Sequence, residues 1–454
     1  MSAIDLADLE SHPGMAGPGA ADRVDPYWSG TWQSGSTATW VSRTSARRMA
    51  EAGLASIPVH LRGDPARALH RVLTGSMRAK RLSILAAVDA WRTCSVDQVA
   101  AIVGHPALTA SANTLLADAF NADLIEIGQP GSSLTLSAEG RRRGRLLRAA
   151  ANDVFDRRVA PDLTYAHWVR TTGGRPWRFN TQFDRHDMLT TELCLRVAEF
   201  CDVATVLGEK DSPVAGLTAW SRMPHGVEAA GDKMADATIV RNDGARLAVE
   251  LTASASQQFN DKVRRWAQVL SQAPWDTCGL AVVFVVAPRP DRRHRDVSLV
   301  RSVRQAVVTA VKAFPGSVRD RVAQRMAVVE WTDWFPGAHA VTGQFLSLGA
   351  ARPTGEHGDP WQPCNLLAGD DLPFTPRAEH DATALARNAN LLWSTPHWLR
   401  RDDATPHLWP LALASSGSMT IPVPARRDGQ ARPQLGTPSG AVSSTLPPPA
   451  VDGR

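Results

Sequence analysis

The chain has 454 residues, 43% of them hydrophobic, a composition typical of a globular protein with room for two or three domains and a sizeable core. Its formal net charge of +5 permits nucleic-acid binding without requiring it. No apolar run approaches the length that spans a bilayer, and no basic region followed by an apolar one opens the chain. We therefore expect a cytoplasmic protein without a membrane partner.

The sequence lacks the motifs that are typical of several classes of enzyme. The five cysteines are widely scattered and include no Cys-x-x-Cys pair, so reduced structural thiols are expected. The sequence contains no phosphate-cradling glycine-rich loop, no zinc-ligand cluster and no serine-nucleophile motif. These absences argue against an NTPase, a zinc enzyme and a hydrolase of the nucleophile-elbow type.

The first segment of the chain, residues 1–70, is rich in Gly, Ser, Pro and Ala and shows no sustained hydrophobic period. This composition predicts a flexible, poorly ordered N-terminal arm. Its tyrosine and tryptophans could dock on the folded body or on a partner, and docking on the body is the favoured interpretation.

Helical patterns begin after the arm. Apolar residues at helical spacing predict a helix from Ala79 to Trp91. Ser95 followed three residues later by Gln98 is a capping-box pattern for a second helix, which Gly104 should end. Two short helices therefore lie close together in the chain.

A third helix is predicted from Thr109 to Phe120, and strands are predicted over residues 124–127 and 134–136 around a turn. Three helices followed by a β-hairpin is the order of a winged helix-turn-helix, which we expect over residues 71–150. Such domains bind DNA, and they also serve as protein-interaction modules.

In the DNA-binding interpretation the third helix is the recognition helix. Its first polar residues could reach base edges or phosphates, and the basic run after the hairpin would contact the DNA backbone. The predicted DNA contacts are Ser111, Asn113, Thr114, Arg141, Arg142, Arg143 and Arg145.

Residues 151–350 alternate helical and strand patterns, which predicts an α/β domain. Helices are expected over 183–200, 254–270 and 297–314, and strands over 279–287 and 326–331. The continuous apolar run at 279–287 is typical of a central strand buried on both faces. Beyond it, residues 351–414 predict an irregular Trp- and Pro-containing extension and 415–454 a disordered tail.

A tight turn joins two further strands in the middle of this domain. Residues 242–244, Asn-Asp-Gly, suit a three-residue hairpin loop in which Gly244 takes a positive φ. Counting back along both strands then places Asp236 opposite Glu250 and keeps the apolar residues on the other face. A two-residue loop would slip the register by one and put Asp236 on the apolar face.

Two carboxylates in this position need an explanation, because like charges directly opposed on paired strands are destabilising. A divalent cation between them, a shared proton or a neighbouring lysine would each offset the repulsion. The plainer alternative is a solvent-facing hairpin with two screened acids.

The wider arrangement resembles the PD-(D/E)XK nuclease fold: Glu192 on a helix, Asp236 and Glu250 on paired strands, then a helix with Lys262 before a buried strand. The resemblance implies that these four residues are catalytic and that Asp236 and Glu250 hold Mg²⁺ or Mn²⁺, which would activate water for phosphodiester cleavage. The family's lysine two residues after the second acid is replaced here by Thr252. Either Lys262 supplies that cation from the helix, or the site is degenerate and needs no cofactor.

The sequence is also similar to the replication-relaxation family of actinobacterial plasmids and integrative elements, over approximately residues 75–300. The similarity rests on the winged-helix region, on the helix start at residues 186–192, on the strand pair 235–252 and on the helix segment 262–266. It implies a role in plasmid or mobile-element DNA replication or transfer. DNA is the implied partner, and the arm and tail could recruit other replication or transfer proteins.

These patterns together predict a multi-domain α/β protein. An N-terminal winged helix-turn-helix would precede a C-terminal PD-(D/E)XK-like mixed sheet flanked by helices. The leading hypothesis is a DNA-binding protein of a mobile element with a degenerate nuclease-like domain. The alternatives are an active Mg²⁺-dependent DNA endonuclease, and an adaptor or transcriptional regulator without catalysis.

Overall fold

The computed structural model describes residues 2–32, 35–130, 137–177, 183–219, 227, 233–289, 297–354 and 361–401. Of these, residues 12–195 and 390–401 form one compact unit, and residues 2–11 and 196–389 form another. We name them the four-stranded unit and the seven-stranded unit after their largest sheets. Both contain helices and strands, so the predicted mixed α/β class is confirmed. None of the described helices has the length and apolar character that crossing a membrane requires.

Strands and helices are interspersed along the whole described chain. The strands are β1 (Ala3–Asp5), β2 (Ala38–Val41), β3 (Thr93–Ser95), β4 (Ile125–Pro130), β5 (Leu146–Ala149), β6 (Thr205–Gly208), β7 (Ala237–Val240), β8 (Arg246–Thr252), β9 (Leu280–Val286), β10 (Gly316–Ser317), β11 (Asp320–Arg321), β12 (Met326–Glu330), β13 (Ala340–Thr342), β14 (Gly349–Pro353) and β15 (Trp361–Asn365). The helices are α1 (Arg43–Glu51), α2 (Pro65–Leu73), α3 (Arg78–Ala90), α4 (Val96–Val103), α5 (Thr114–Asn121), α6 (Ala138–Arg143), α7 (Tyr165–Thr172), α8 (Asp184–Phe200), α9 (Val214–Thr218), α10 (Gln257–Gln272), α11 (Trp275–Cys278), α12 (Val297–Ala313), α13 (Trp331–Trp334), α14 (Gly343–Leu346) and α15 (Ala384–Ala389).

The four-stranded unit has an antiparallel sheet in the order β2-β4-β5-β3. Helices α3, α4 and α5 precede β4 in the chain, and β3 lies between α3 and α4. The capping prediction for α4 is confirmed, because the side chains of Ser95 and Gln98 each bond the other's backbone N–H, and Gly104 caps the C-terminal end. Local capping chemistry therefore sets the limits of this helix.

Two predictions in this unit differ from the structure. Helix α5 begins at Thr114, five residues after the predicted start, because the Asn113 side chain caps it and residues 106–109 form a separate 3-10 turn. The predicted strand at 134–136 lies outside the described residues. The strand that follows β4 in the chain and pairs with it is β5, which comes after the basic helix α6 and had not been predicted.

The expectation of a poorly ordered arm over residues 1–70 is wrong for the described part of that segment. Strand β2 pairs with β4 through Trp40 and Gly128, and Tyr27 and Trp32 are buried. The Arg148 guanidinium lies 4.1 Å from the centre of the Trp40 ring. Each element of the arm is short, so its stability comes from packing on the body, which composition cannot indicate.

Residues 390–401 complete the four-stranded unit near its N-terminal segment. The Nε2 atom of His397 accepts a hydrogen bond from the Ala16 N–H at 2.7 Å, so its Nδ1 donates to the Ala101 carbonyl oxygen at 2.9 Å. The Trp91 Nε1 donates to the Ser394 carbonyl oxygen at 2.8 Å. These bonds hold both ends of the described unit on helices α3 and α4.

The His397 contacts predict an acid-sensitive unit. Burial lowers the pKa of His397 to about 4. The unfolded chain therefore takes up the proton first, and stability should be lost as the pH falls from about 6.5 through 4. The expected loss is about 1–2 kcal/mol, because the partly exposed ring is screened by solvent. Urea unfolding at pH 7 and pH 5 should show a smaller loss in His397→Gln than in the wild type, and His70→Gln, which alters an exposed histidine, should behave as wild type.

The seven-stranded sheet has the order β15-β14-β12-β9-β8-β7-β6. Strands β8, β9 and β12 are parallel, and antiparallel pairs extend the sheet on both sides. All seven residues of β9 are buried, which confirms its prediction as a central strand. The predicted irregular extension after residue 350 instead supplies the paired edge strands β14 and β15. The predicted tail, 415–454, lies outside the described residues.

Candidate functional site

The acid-bearing hairpin has the predicted register. Ala237 pairs with Val249, and the next apolar pair matches as well, so the register prediction is confirmed. The loop residue Gly244 has a φ of 88°, and a Cβ there would lie 2.4 Å from the Ala382 carbonyl oxygen. The Asp236 N–H donates to the Val249 carbonyl oxygen at 3.1 Å. Asp236 therefore lies beside Glu250 at the end of the strand pair.

Helix α10 brings a cation and a hydrogen-bond donor to the two acids. The Lys262 Nζ lies 3.0 Å from Asp236 Oδ1 and forms an ion pair with Glu250 Oε2. One helical turn later, the Trp266 Nε1 donates to Glu250 Oε1 at 2.7 Å. The second Asp236 oxygen, Oδ2, accepts the Leu251 N–H at 2.8 Å. Every carboxylate oxygen of the pair thus lies against an N–H donor or the ammonium.

Burial and the neighbouring charges shift the pKa values of both Glu250 and Lys262. Glu250 is 1% exposed, and burial together with the negative charge of Asp236 raises its pKa, although Lys262 and Trp266 act in the opposite direction. Burial alone would lower the pKa of Lys262, but the two carboxylates outweigh that effect and raise it. Lys262 therefore stays charged, and its ammonium is the counterion that the two carboxylates share.

A small cavity of about 40 Å³ opens beside Glu250 and Lys262. Its wall includes Lys233 and Arg265, so three basic side chains border it. A cavity of this size holds a few water molecules. Its charge suits an anionic ligand, although a phosphate group would require the cavity to widen.

The carboxylate pair was predicted to hold Mg²⁺ or Mn²⁺. Both acids direct an oxygen toward one point, but the Lys262 ammonium fills that point. No group of three or more His, Cys, Asp or Glu suited to a metal occurs within the described ranges. The Thr252 hydroxyl, in the family's lysine position, is bonded to the backbone of Ser254. In this conformation the residues do not fit a divalent metal, and the lysine serves as the counterion.

Glu192, predicted to be catalytic, forms a buried ion pair with Arg23. It is fully buried in the four-stranded unit, where Arg23 donates to both its oxygens at 3.0 to 3.3 Å. The Gln98 Nε2 donates to Glu192 Oε2 at 3.3 Å. Asp236, Glu250 and Lys262 belong to the seven-stranded unit. The pairing of Glu192 with Arg23 was not predicted, because Arg23 lies in the segment that was expected to be flexible.

The predicted recognition helix α5 is largely covered. Its side chains from Ala117 to Asn121 are buried, and helix α2 packs against it. The Asn113 side chain accepts the backbone N–H groups of residues 115 and 116, so it caps the helix. Ser111 and Thr114 remain exposed at its start. The helix therefore does not present a long polar face to a DNA groove.

The predicted basic run has mixed roles. Arg143 pairs with Asp97 at 3.0 Å and so supports the fold. The Arg142 Nε donates to the Thr109 carbonyl oxygen at 3.0 Å. Arg141 is partly exposed on α6. Only part of the run is thus suited to contacting a ligand.

Four of the predicted DNA contacts meet around one cavity of about 30 Å³: Ser111, Asn113, Arg142 and Arg145. His60 also lines this cavity and was missed, because it belongs to the N-terminal segment. Burial, followed by the charge of Arg142, lowers the pKa of Arg145. Burial, followed by the charge of Arg145, lowers the pKa of His60. The Asn113 amide is already bonded to the backbone, because its Nδ2 donates to the Ala107 carbonyl oxygen and its Oδ1 caps α5. The two guanidinium groups beside the Ser111 hydroxyl favour an anion such as a phosphate.

Comparison with other proteins adds no relative. No protein-family model matches the chain, and no curated protein and no solved structure was found to match it. The resemblances to the replication-relaxation family and to PD-(D/E)XK nucleases therefore stay predictions. What the protein does must follow from its own geometry.

Proposed function

We propose that this protein binds duplex DNA through its four-stranded unit and acts in the replication or transfer of a plasmid or mobile element, as the replication-relaxation family does. The observation that carries the proposal is the convergence of Ser111, Asn113, Arg142 and Arg145 on one cavity. Guanidinium groups bind phosphate oxygens in bidentate geometry, and a nearby hydroxyl adds a further donor. The cavity is small, so it would engage the edge of one backbone phosphate.

The order of elements supports a winged helix-turn-helix in this unit. Helices α3, α4 and α5 are followed by the antiparallel pair β4 and β5, and β3 pairs with β5 at the sheet edge. Helix α6, which carries the arginines, lies between β4 and β5 in the chain, where a wing would be expected. The proposed phosphate contacts would then come from the wing and from the residues before α5.

The seven-stranded unit supports a nuclease-like fold without a catalytic metal. Strands β7 and β8, helix α10 and the buried strand β9 follow the order on which the PD-(D/E)XK resemblance rests, and helix α8 precedes them in the chain. With Lys262 between the carboxylates, we propose that this site is degenerate. An active Mg²⁺-dependent endonuclease is the second candidate, because Lys262 supplies the cation that Thr252 cannot. That activity would require Lys262 to leave the two acids.

The DNA-binding proposal predicts a salt-dependent affinity for duplex DNA that depends on the cavity arginines. Arg142→Ala/Arg145→Ala should lower the affinity about tenfold near 100 mM salt and reduce the slope of log K against log salt by about 1, because the contact with one phosphate is lost. Fluorescence anisotropy of a labelled duplex measures both quantities. Arg143 is left intact, since its pairing with Asp97 supports the fold.

The matched control is Arg157→Ala/Arg158→Ala, which removes two exposed arginines elsewhere in the same unit. It should change the affinity less than twofold, because distant surface charges are screened. Equal losses in the two double variants would contradict the assignment of the cavity. A wild-type protein that bound no duplex DNA at low salt would favour a protein-interaction module.

A further inference from the structure

Helix α2 and the preceding 3-10 turn at Val59–Leu61 form a layer over α5. The Arg71 Nε donates to Asp118 of α5 at 2.8 Å, and the Asn121 Nδ2 donates to the His60 carbonyl oxygen at 3.0 Å. Asp118 also pairs with Arg81, so it is held from two sides. The face of α5 that a recognition helix would turn toward DNA is thus occupied by the chain's own N-terminal segment.

The outer side of this layer is rich in arginine. Residues 42–74 contain six arginines and two histidines against two acidic residues, Glu51 and Asp64. Arg47 and Arg48 are exposed on α1, and Arg67 and Arg71 are exposed one turn apart on α2. Arg43, Arg47 and Arg71 pair with Asp123, Glu51 and Asp118, and Arg48 and Arg67 add exposed charge on α1 and α2. The positive charge therefore extends over two helices.

A groove runs between these elements. Its volume is about 740 Å³, and Arg43, Arg47 and Arg62 line it together with Glu51 and Asp64. The groove adjoins the smaller cavity of Arg142 and Arg145, because Leu61 lines both and His60 precedes it in the chain. Positive side chains thus continue from the proposed wing to α1.

We infer that residues 42–74 form a face that contacts the backbone of duplex DNA, continuous with the Arg142–Arg145 cavity. Helix α5 then supports this face from beneath and does not enter the major groove. The inference rests on the proposed DNA binding and deepens it. Planar guanidinium groups spread over two helices match successive phosphates, and backbone contacts of this kind position a protein without reading sequence.

Exposed apolar side chains also occur in this segment, notably Leu54 and Val59, which are 77% and 82% exposed. Exposed apolar side chains are common at protein interfaces, so an acidic protein is the alternative partner for this face. The arginines outnumber them and lie on both helices, which favours the regularly spaced charges of a nucleic-acid backbone.

The deciding experiment compares two adjacent arginine pairs. Arg47 forms an exposed ion pair with Glu51 four residues away, and Arg157 forms the same kind of pair with Asp153. Arg47→Ala/Arg48→Ala should weaken duplex binding about tenfold and lower the salt slope by about 2. The control Arg157→Ala/Arg158→Ala should stay within about twofold of wild type, since screening limits its effect.

Each outcome is decisive. Equal affinities for the wild type and the Arg47→Ala/Arg48→Ala variant, with the wild type binding DNA, would overturn this inference and leave the proposed function standing. Absence of wild-type binding would overturn both. Tighter binding of polyaspartate than of the duplex, at equal charge concentration and equal salt, would overturn the inference in favour of an acidic protein partner.

The variant Arg71→Ala tests whether helix α2 covers a DNA-recognition surface on α5. Arg71→Ala loosens α2 from α5, while Arg81 keeps Asp118 paired, so the unit should still fold. If the outer face of the layer contacts DNA, the affinity should fall by a few fold with the lost charge. A rise in affinity would show that α2 conceals α5 from DNA and would overturn the inference.

Discussion

Replacing Lys262 with methionine is expected to lower the free energy of unfolding by about 2–4 kcal/mol at pH 7, because it leaves two adjacent carboxylates without their cation. Glu250 is 1% exposed, so water cannot solvate its charge. The expected loss lies at the lower end of the range for breaking a buried ion pair, because the Lys262 side chain is itself 34% exposed. Urea unfolding followed by circular dichroism measures the loss.

A double variant controls for lost packing. Lys262→Met/Glu250→Gln removes the cation together with the buried acid, so about half or more of the lost stability should return. The loss in the single variant should also be smaller at pH 5, because the raised pKa of Glu250 favours its neutral form there. An unfolding free energy unchanged by Lys262→Met would show that the lysine does not bridge the acids.

The Lys262→Met variant also tests whether Asp236 and Glu250 can bind a divalent metal. Asp236 and Glu250 direct oxygens at one point, and removing Lys262 should open that point to a cation. Calorimetric titration with Mn²⁺ should therefore detect tighter binding to Lys262→Met than to wild type, with Glu250→Gln as the negative control. Tight wild-type binding, lost in Asp236→Asn and accompanied by DNA cleavage, would instead support the active endonuclease.

Replacing Arg23 with methionine is expected to cost about 3–5 kcal/mol, the usual cost of leaving one member of a buried ion pair without its partner. Both side chains of the Arg23–Glu192 pair are fully buried. The Gln98 amide remains near Glu192, but a neutral donor cannot balance a buried charge. Chemical unfolding at pH 7 is the direct measurement.

The structural role of Glu192 has its own control. Arg23→Met/Glu192→Leu removes both charges and should recover to within about 1–2 kcal/mol of wild type. If Glu192 were catalytic, Glu192→Gln would abolish an activity while leaving the Arg23 side chain largely satisfied. A loss of stability on Glu192→Gln comparable to that of Arg23→Met would support the ion pair as its function.

Local features were predictable because their causes lie within a few residues. Asn-Asp-Gly sets a three-residue turn, and alternation of apolar residues then fixes the hairpin register. Ser95 and Gln98 cap α4 as predicted. Lys262 was expected to reach Asp236 and Glu250 if its helix packed near the hairpin, and the structure meets that condition.

The errors concern partners that are distant in the chain. The pairing of Glu192 with Arg23 was not predicted, because Arg23 lies 169 residues away, in a segment whose composition predicts disorder. Strand β5 was missed because the basic run before it was interpreted as a solvent-exposed surface. In the structure Arg148 pairs with Glu126 and lies over the Trp40 ring. Helix α5 was predicted to be the DNA-recognition helix, but helix α2 packs over it.

The sequence by itself determined the turns, the caps, the buried central strand and the facing of Asp236 and Glu250, since hydrogen bonding and side-chain alternation at short range control these features. Only the tertiary structure decided what neutralises each buried charge and which surface is left for a partner. The physical reason is that a charge is stabilised by whatever the folded chain brings within a few ångströms. At Glu250 that neighbour is Lys262, and at Glu192 it is Arg23.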